Sequence, residues 1–81
     1  ANHPHLAASY SNIGLVYSRM GEYSKALSFY EKGLDIKKTS LPTNHPEFAS
    51  SYNNIGVVCL RMGDYSRAIS FFQKALEIQE T

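Results

Sequence analysis

The chain has 81 residues, of which 43% are hydrophobic, 12% aromatic and 19% charged, and its formal net charge is +1. These values are typical of one small globular domain, because a disordered chain has fewer aromatic residues and more net charge. Eight Lys/Arg against seven Asp/Glu argue against binding to nucleic acid or to an anionic membrane. The single Cys59 excludes an intramolecular disulfide, no apolar run reaches a membrane span, and the first residues lack the features of a secretion signal. We therefore expect a cytoplasmic protein.

An internal repeat with a period of 42 residues dominates the sequence. Residues 2–39 align with residues 44–81, and 22 of these 38 pairs are identical. Such self-similarity is typical of repeat architectures, in which each copy is one structural unit. We predict a single domain over 1–81, with repeat unit 1 at 2–43 and repeat unit 2 at 44–81.

Within each unit, apolar residues recur at steps of three and four, which is the spacing of an amphipathic helix. The pattern predicts four helices, over residues 4–20, 22–38, 46–62 and 64–80. In unit 1 the apolar stripes are Ala7, Tyr10, Ile13, Gly14 and Tyr17, then Tyr23, Ala26, Leu27, Tyr30, Gly33 and Leu34. In unit 2 they are Ala49, Tyr52, Ile55, Gly56 and Cys59, then Tyr65, Ala68, Ile69, Phe72, Ala75 and Leu76. We expect these stripes to form the core.

The helix boundaries follow from Gly, Asn and Pro. Gly21 and Gly63 are each placed to end a first helix in the left-handed conformation. Asn44 is the predicted side-chain cap of the third helix, and Pro42 favours a connector over residues 40–43. Two helical hairpins that stack on each other form an all-α solenoid.

Seven positions of each unit resemble the tetratricopeptide repeat. They are Tyr10, Ile13, Gly14, Tyr17, Ala26, Tyr30 and Gly33, and then Tyr52, Ile55, Gly56, Cys59, Ala68, Phe72 and Ala75. Cys59 departs from the usual aromatic residue, and the terminal proline of the shorter form is absent. The 42-residue period, the His-Pro opening and the Asn-Ile-Gly stretch resemble the kinesin light chain subtype. The resemblance implies a right-handed superhelix fragment of a longer array, with the first helices lining a concave groove.

Opposite their core stripes, the first helices carry amides, hydroxyls, aliphatic side chains and one arginine per unit, with no acidic residue. The predicted peptide-binding groove comprises Ser11, Asn12, Leu15, Arg19, Asn53, Asn54, Val57, Leu60 and Arg61. We expect a non-catalytic scaffold that binds peptide segments of partner proteins, acidic or carboxylate-ended with an apolar anchor. A structural role stays open, because Arg19 and Arg61 also suit the helix dipole, and Asn12 and Asn54 can bridge helices.

The two ends of the stack form a second candidate surface. Val16 and Met20 are predicted to be exposed at one end, and Phe71 and Ile78 at the other, unless another molecule covers them. Contact between such unlike surfaces is heterologous and can continue as an open filament. The alternative function is therefore a self-assembly or spacer module, in which repeats stack head to tail or swap helices to give a homo-oligomer.

The sequence contains no constellation that supports catalysis. Cys59 falls on a core stripe, so we expect a buried, inert thiol. His3, His5 and His45 favour capping or solvent exposure over metal binding, and the glycines form no phosphate-binding loop. We predict no enzyme activity, no cofactor and no metal site.

Overall fold

The computed structural model describes residues 4–42 and 44–80, which form four α-helices and no strand. In chain order these are α1 (Pro4–Arg19), α2 (Tyr23–Ser40), α3 (Pro46–Arg61) and α4 (Tyr65–Glu80). Every bound lies within two residues of the one that the apolar spacing predicts. The predicted all-α solenoid of two stacked helical hairpins is confirmed.

Glycine in the left-handed conformation ends α1 and α3. Gly21 and Gly63 have φ values of +81° and +82°. The backbone N–H of Glu22 donates to the carbonyl of Tyr17 at 2.9 Å, and Asp64 repeats this bond in the second hairpin. These bonds satisfy carbonyls that the end of a helix leaves without a partner. The predicted helix stops at both glycines are therefore confirmed.

The start of α3 differs from the prediction in its capping residue. His45, rather than Asn44, has the extended backbone of an N-cap, and its Nδ1 accepts a hydrogen bond from the backbone N–H of Glu47 at 3.2 Å. Pro46 follows in the first turn, where its missing N–H leaves no donor unpaired. The prediction for Asn44 was wrong because the chain enters the helix one residue later.

Helix α2 runs two residues further than predicted before the connector begins. The hydroxyls of Thr39 and Ser40 both donate to the carbonyl of Ile36, at 2.8 and 3.0 Å, which supports the last turn. Leu41 is extended because it precedes Pro42, whose ring disfavours the helical conformation of its predecessor.

The mid-helix glycines lie where the two helices of a hairpin approach each other. A Cβ atom on Gly56 would lie 2.8 Å from the ring of Phe72, and one on Gly14 would lie 3.0 Å from the ring of Tyr30. Real Cβ atoms are rarely found so close to another heavy atom. Each glycine thus makes room for an aromatic ring of its partner helix, as the sequence predicts.

The main hydrophobic core lies at the seam between the two hairpins. The core cluster consists of Ala26, Tyr30, Leu34, Phe48, Ile55, Val58, Cys59 and Ala68, from α2, α3 and α4. A polar contact crosses the same seam, where Lys37 Nζ donates to Ser51 Oγ at 3.0 Å and lies 3.8 Å from Glu47 Oε1. The contact between α2 and α3 therefore joins the hairpins into one unit.

Some residues of the predicted stripes lie outside this core. Ile55 is fully buried at the seam, whereas its equivalent Ile13 is 41% exposed. The same difference affects α4, on which Tyr65, Ile69 and Leu76 are exposed. For these residues the prediction of burial was wrong, because they occupy the side of the hairpin that only a further repeat or another molecule would cover.

Candidate functional site

A cavity of about 560 Å³ opens between the C-terminal halves of the two first helices. Its lining residues are Leu15, Ser18, Arg19, Tyr23, Val57 and Arg61. Leu15 and Arg19 of α1 are the repeat equivalents of Val57 and Arg61 of α3. The internal repeat therefore presents the same pair of side chains, one aliphatic and one cationic, twice around one cavity.

The electrostatic character of this cavity is positive. Its lining, as the structure describes it, includes two arginines and no acidic residue. Over residues 4–42 and 44–80, the ion pairs are Lys37 with Glu47 and Arg67 with Asp64, so neither arginine of the cavity is neutralised by a carboxylate. An unpaired guanidinium offers several donors that can bind a carboxylate in bidentate geometry.

Most other cations of the chain are already engaged elsewhere. Lys25 lies 5.5 Å from the ring centroid of Tyr17, and Lys32 and Lys74 lie 5.0 and 5.2 Å from those of Phe29 and Phe71. These cation–π contacts cover the rings with the ammonium groups. The two arginines of the cavity thus differ from these three lysines, whose ammonium groups already lie against aromatic rings.

The remaining lining can bind the rest of a peptide. Leu15 and Val57 are partly exposed aliphatic side chains at the cavity. The half-buried Ser18 and Tyr23 add hydroxyl groups, each of which can donate and accept a hydrogen bond. The cavity can therefore bind an apolar side chain together with the peptide backbone next to it.

The nine predicted groove residues divide into three groups in the structure. Leu15, Arg19, Val57 and Arg61 line the cavity together. Asn12, Asn54 and Leu60 are exposed but do not line it. Ser11 and Asn53 also do not line the cavity, and both are half-buried.

Ser11 and Asn53 lie at equivalent positions that face the second helices. The Oγ of Ser11 lies 3.1 Å from the point that a Cβ on Gly33 would occupy, so this side chain faces α2. Asn53 lines a separate cavity of about 580 Å³, next to Ile78 and Gln79 of α4. Both belong to the contact region within a hairpin rather than to the cavity between the first helices.

Tyr23 also lines the cavity, although its position on the apolar stripe of α2 predicts a core residue. It is the first residue of α2, directly after the glycine turn, so it lies beside the end of α1. The turn itself is the signal, because a residue that follows a tight helix–helix turn remains close to the last turn of the first helix.

The predicted end surfaces need a correction on α4. Val16 and Met20 are exposed, in agreement with the expectation. Phe71 and Ile78 are half-buried against the core cluster, and the Phe71 ring lies 6.0 Å from that of Tyr52 on α3. The prediction that both lie exposed was wrong, because they face the first helix of their own hairpin.

Two buried side chains, Tyr30 and Cys59, have a raised pKa. Burial raises the pKa of the Tyr30 hydroxyl, and the positive charge of Arg19 opposes this shift. Burial also raises the pKa of the Cys59 thiol, with Arg67 lowering it in part. The Cys59 thiol therefore stays protonated at neutral pH, which suits the inert core residue that the stripe predicts.

The described residues match neither the pattern of a metal site nor that of a membrane-spanning helix. Across residues 4–42 and 44–80, no three His, Cys, Asp or Glu side chains are grouped as metal ligands. Of the histidines considered in the sequence, His45 caps α3, and His3 lies outside the described residues. No described helix combines the length and apolar character needed to cross a membrane.

Comparison with known proteins agrees with this architecture. Two family models described as tetratricopeptide repeat match the chain, one over residues 6–47 and the other over residues 49–81. The first match alone covers just over half of the chain. The chain belongs to the tetratricopeptide repeat family. Proteins of this family are typically non-catalytic scaffolds, and membership of it suggests a protein-interaction or assembly module.

Two solved structures share the tetratricopeptide repeat fold of this chain. They are described as the crystal structure of MamA protein and the crystal structure of MamA, with sequence identities of 39% and 38%. Each match covers 91% of this chain with a TM-score of 0.74. The chain spans 36% and 39% of the length of these two proteins. No curated protein matches the chain.

Proposed function

We propose that this tetratricopeptide repeat module binds an extended peptide segment of a partner protein in the cavity between α1 and α3. One observation carries the proposal: Arg19 and Arg61 line the same cavity, with no carboxylate paired to either in the described part of the chain. A charged side chain that only stabilises a fold is commonly paired with an opposite charge or surrounded by water on its own. Two positive side chains that share a concave surface instead favour an anionic ligand.

The chemistry of the lining specifies the kind of peptide. Two guanidinium groups favour Asp, Glu or a C-terminal carboxylate, because charge-assisted bidentate hydrogen bonds are the strongest available to them. Leu15 and Val57 favour one apolar side chain close to these charges. The preferred ligand is therefore an acidic or carboxylate-ended segment with an apolar anchor.

A binding measurement with a defined peptide tests this proposal. The probe is a fluorescein-labelled peptide with glutamates around one leucine and a free C-terminal carboxylate, followed by fluorescence anisotropy at low salt. Each of Arg19→Gln and Arg61→Gln should raise Kd at least about 10-fold, since a charged hydrogen bond contributes roughly 1.5–3 kcal/mol. The double variant should raise Kd at least about 100-fold if the two contributions add.

Arg67→Gln is the matched control for these variants. Arg67 is an exposed arginine of α4 that lies 3.7 Å from Asp64 and does not line the cavity. Its replacement removes the same charge from the chain and should leave Kd unchanged. An equal rise in Kd for all three single variants would mean that only the net charge of the chain determines binding. A double variant that binds the peptide like the wild type would refute the proposed site.

The finer family assignment also remains a proposal. The 42-residue offset between the copies, and a family match that itself extends over 42 residues, support the kinesin light chain subtype and the division into units 2–43 and 44–81. The unit ends Asn2, Thr43 and Thr81 lie outside the described residues. Membership of a longer array and a cytoplasmic location likewise stay predictions.

A further inference from the structure

Two apolar surfaces at opposite ends of the described stack have no partner in the structure. The N-terminal face consists of the α1 residues Leu6, Ile13 and Val16. The C-terminal face consists of the α4 residues Tyr65, Ile69, Phe72 and Leu76. All except the half-buried Phe72 are exposed. Neither face belongs to the cavity between α1 and α3.

The seam between α2 and α3 shows how these two faces fit each other. The repeat relates the N-terminal face to Phe48, Ile55 and Val58 of α3, and the C-terminal face to Tyr23, Leu27, Tyr30 and Leu34 of α2. In the seam, Val58 is 1% and Leu34 is 6% exposed, whereas their equivalents Val16 and Leu76 are 57% and 52% exposed. The two outer faces are therefore copies of surfaces that already pack together inside the chain.

The chemistry of the copies is preserved position by position. Ile13, Val16, Tyr65 and Leu76 are identical to their counterparts in the seam. The other three positions of the faces differ from the seam but keep an apolar side chain of related volume. Leu6 corresponds to Phe48, Ile69 to Leu27 and Phe72 to Tyr30. Substitutions that conserve volume and apolar character are the ones that packed interfaces tolerate best.

A polar contact of the seam can also be reproduced between the faces. In the seam, Ser51 Oγ donates to the backbone carbonyl four residues earlier at 3.3 Å and accepts from Lys37. Ser9 makes the same backbone bond at 3.1 Å, so its hydroxyl has the orientation of Ser51. The equivalent of Lys37 is Gln79, whose amide can supply the missing donor.

Charges at the rim are complementary as well. Within the chain, Lys74 of α4 shares a cavity with Asp35 of α2. Between two chains, the equivalent pair is Lys32 of one copy and Glu77 of the other. Glu80, which stands where unit 1 has a lysine, adds a second carboxylate on the same side. Opposite charges across an interface favour the correct register.

We propose that a second copy of this chain stacks head to tail on the first, with its N-terminal face on the C-terminal face, as α3 packs on α2. The contact joins two different surfaces, so each added copy leaves one face of each kind open. Assembly therefore continues beyond a dimer as concentration rises. This inference is independent of peptide binding, because it uses the ends of the stack rather than the cavity.

Two single-face variants of the 81-residue chain test the proposal by sedimentation. The wild type should show a mean mass that rises with concentration and does not level off at the dimer. Val16→Glu disables the N-terminal face and Leu76→Glu the C-terminal face, and each should weaken association about 100-fold or more, because the interface would bury an unpaired charge. Both positions are exposed within a single chain, so circular dichroism should show unchanged helicity.

An equimolar mixture of the two variants gives the decisive result. Each still has one intact face, so the mixture should form a 1:1 heterodimer and nothing larger. Ser70→Glu, at an exposed position of α4 outside the C-terminal face, is the control and should assemble like the wild type. A wild type that stays monomeric up to about 1 mM would overturn the proposal, as would single variants that still assemble or a mixture that does not.

Discussion

Replacing Ile55 with alanine should lower the free energy of unfolding by about 3 kcal/mol. Ile55 is fully buried in the core cluster, where α3 meets α2 and α4. Its truncation removes apolar contacts and leaves a cavity at the seam that holds the two hairpins together. Urea denaturation of the dilute chain, followed by circular dichroism, measures the loss.

Ile13→Ala is the matched control for this change. The residue, the helix and the repeat position are the same, but Ile13 is 41% exposed. Its truncation should lower stability by less than about 1 kcal/mol, since much of its surface is already in water. If Ile55→Ala fails to fold, Ile55→Val should still be measurable, with a loss of about 1 kcal/mol. Equal losses at Ile13 and Ile55 would contradict a core located at the seam.

Gly56→Leu should lower the free energy of unfolding by about 2 kcal/mol. The first atom of any side chain at Gly56 would lie 2.8 Å from the ring of Phe72, so leucine forces α3 and α4 apart. Overpacking of this kind costs up to about 3 kcal/mol, and the better helix propensity of leucine returns roughly 1 kcal/mol. Thermal and urea unfolding of the variant measure the net effect.

Two controls separate close packing from helix propensity. Gly56→Ala should change stability by less than about 1 kcal/mol, because the half-buried Phe72 ring can shift and the helix gains propensity. Ser70→Leu, at an exposed site on α4, should stay within about 0.5 kcal/mol of the wild type. A Gly56→Leu variant as stable as the wild type would mean that the helices do not need glycine to approach each other.

The helices and their boundaries could be predicted because they depend on local chemistry. Gly21 and Gly63 end helices through their own backbone freedom, and Pro42 restricts only its neighbour. The cap of α3 was harder to predict, since Asn44 and His45 are adjacent and both can accept a hydrogen bond. The conformation of the connector decides between them.

Which apolar residues are buried and which are exposed could be predicted only in part. Periodicity marks which face of a helix is apolar, but it does not say which neighbour covers that face. Phe71 and Leu76 both lie on apolar faces of α4, yet Phe71 packs on α3 and Leu76 is exposed. Their difference depends on the tertiary arrangement of the hairpins.

The residues that line the candidate site could likewise be predicted only in part. Leu15, Arg19, Val57 and Arg61 could be grouped from the helical wheel, because all four lie near the middle of the arc opposite the core. Ser11 and Asn53 lie at the edge of that arc, where the neighbouring second helix decides their surroundings. Tyr23 reaches the cavity from another helix, and no single-helix pattern predicts that.

The peptide-binding site can be tested most directly by nuclear magnetic resonance. The isotopically labelled chain, carrying Val16→Glu to prevent stacking, is titrated with the acidic peptide that contains leucine, and shifts of backbone amides are mapped. We predict the largest shifts at Leu15, Arg19, Val57 and Arg61, with little change along the outer surface of α4. Shifts concentrated on α2 and α4, with none at the two arginines, would contradict a binding site between the first helices.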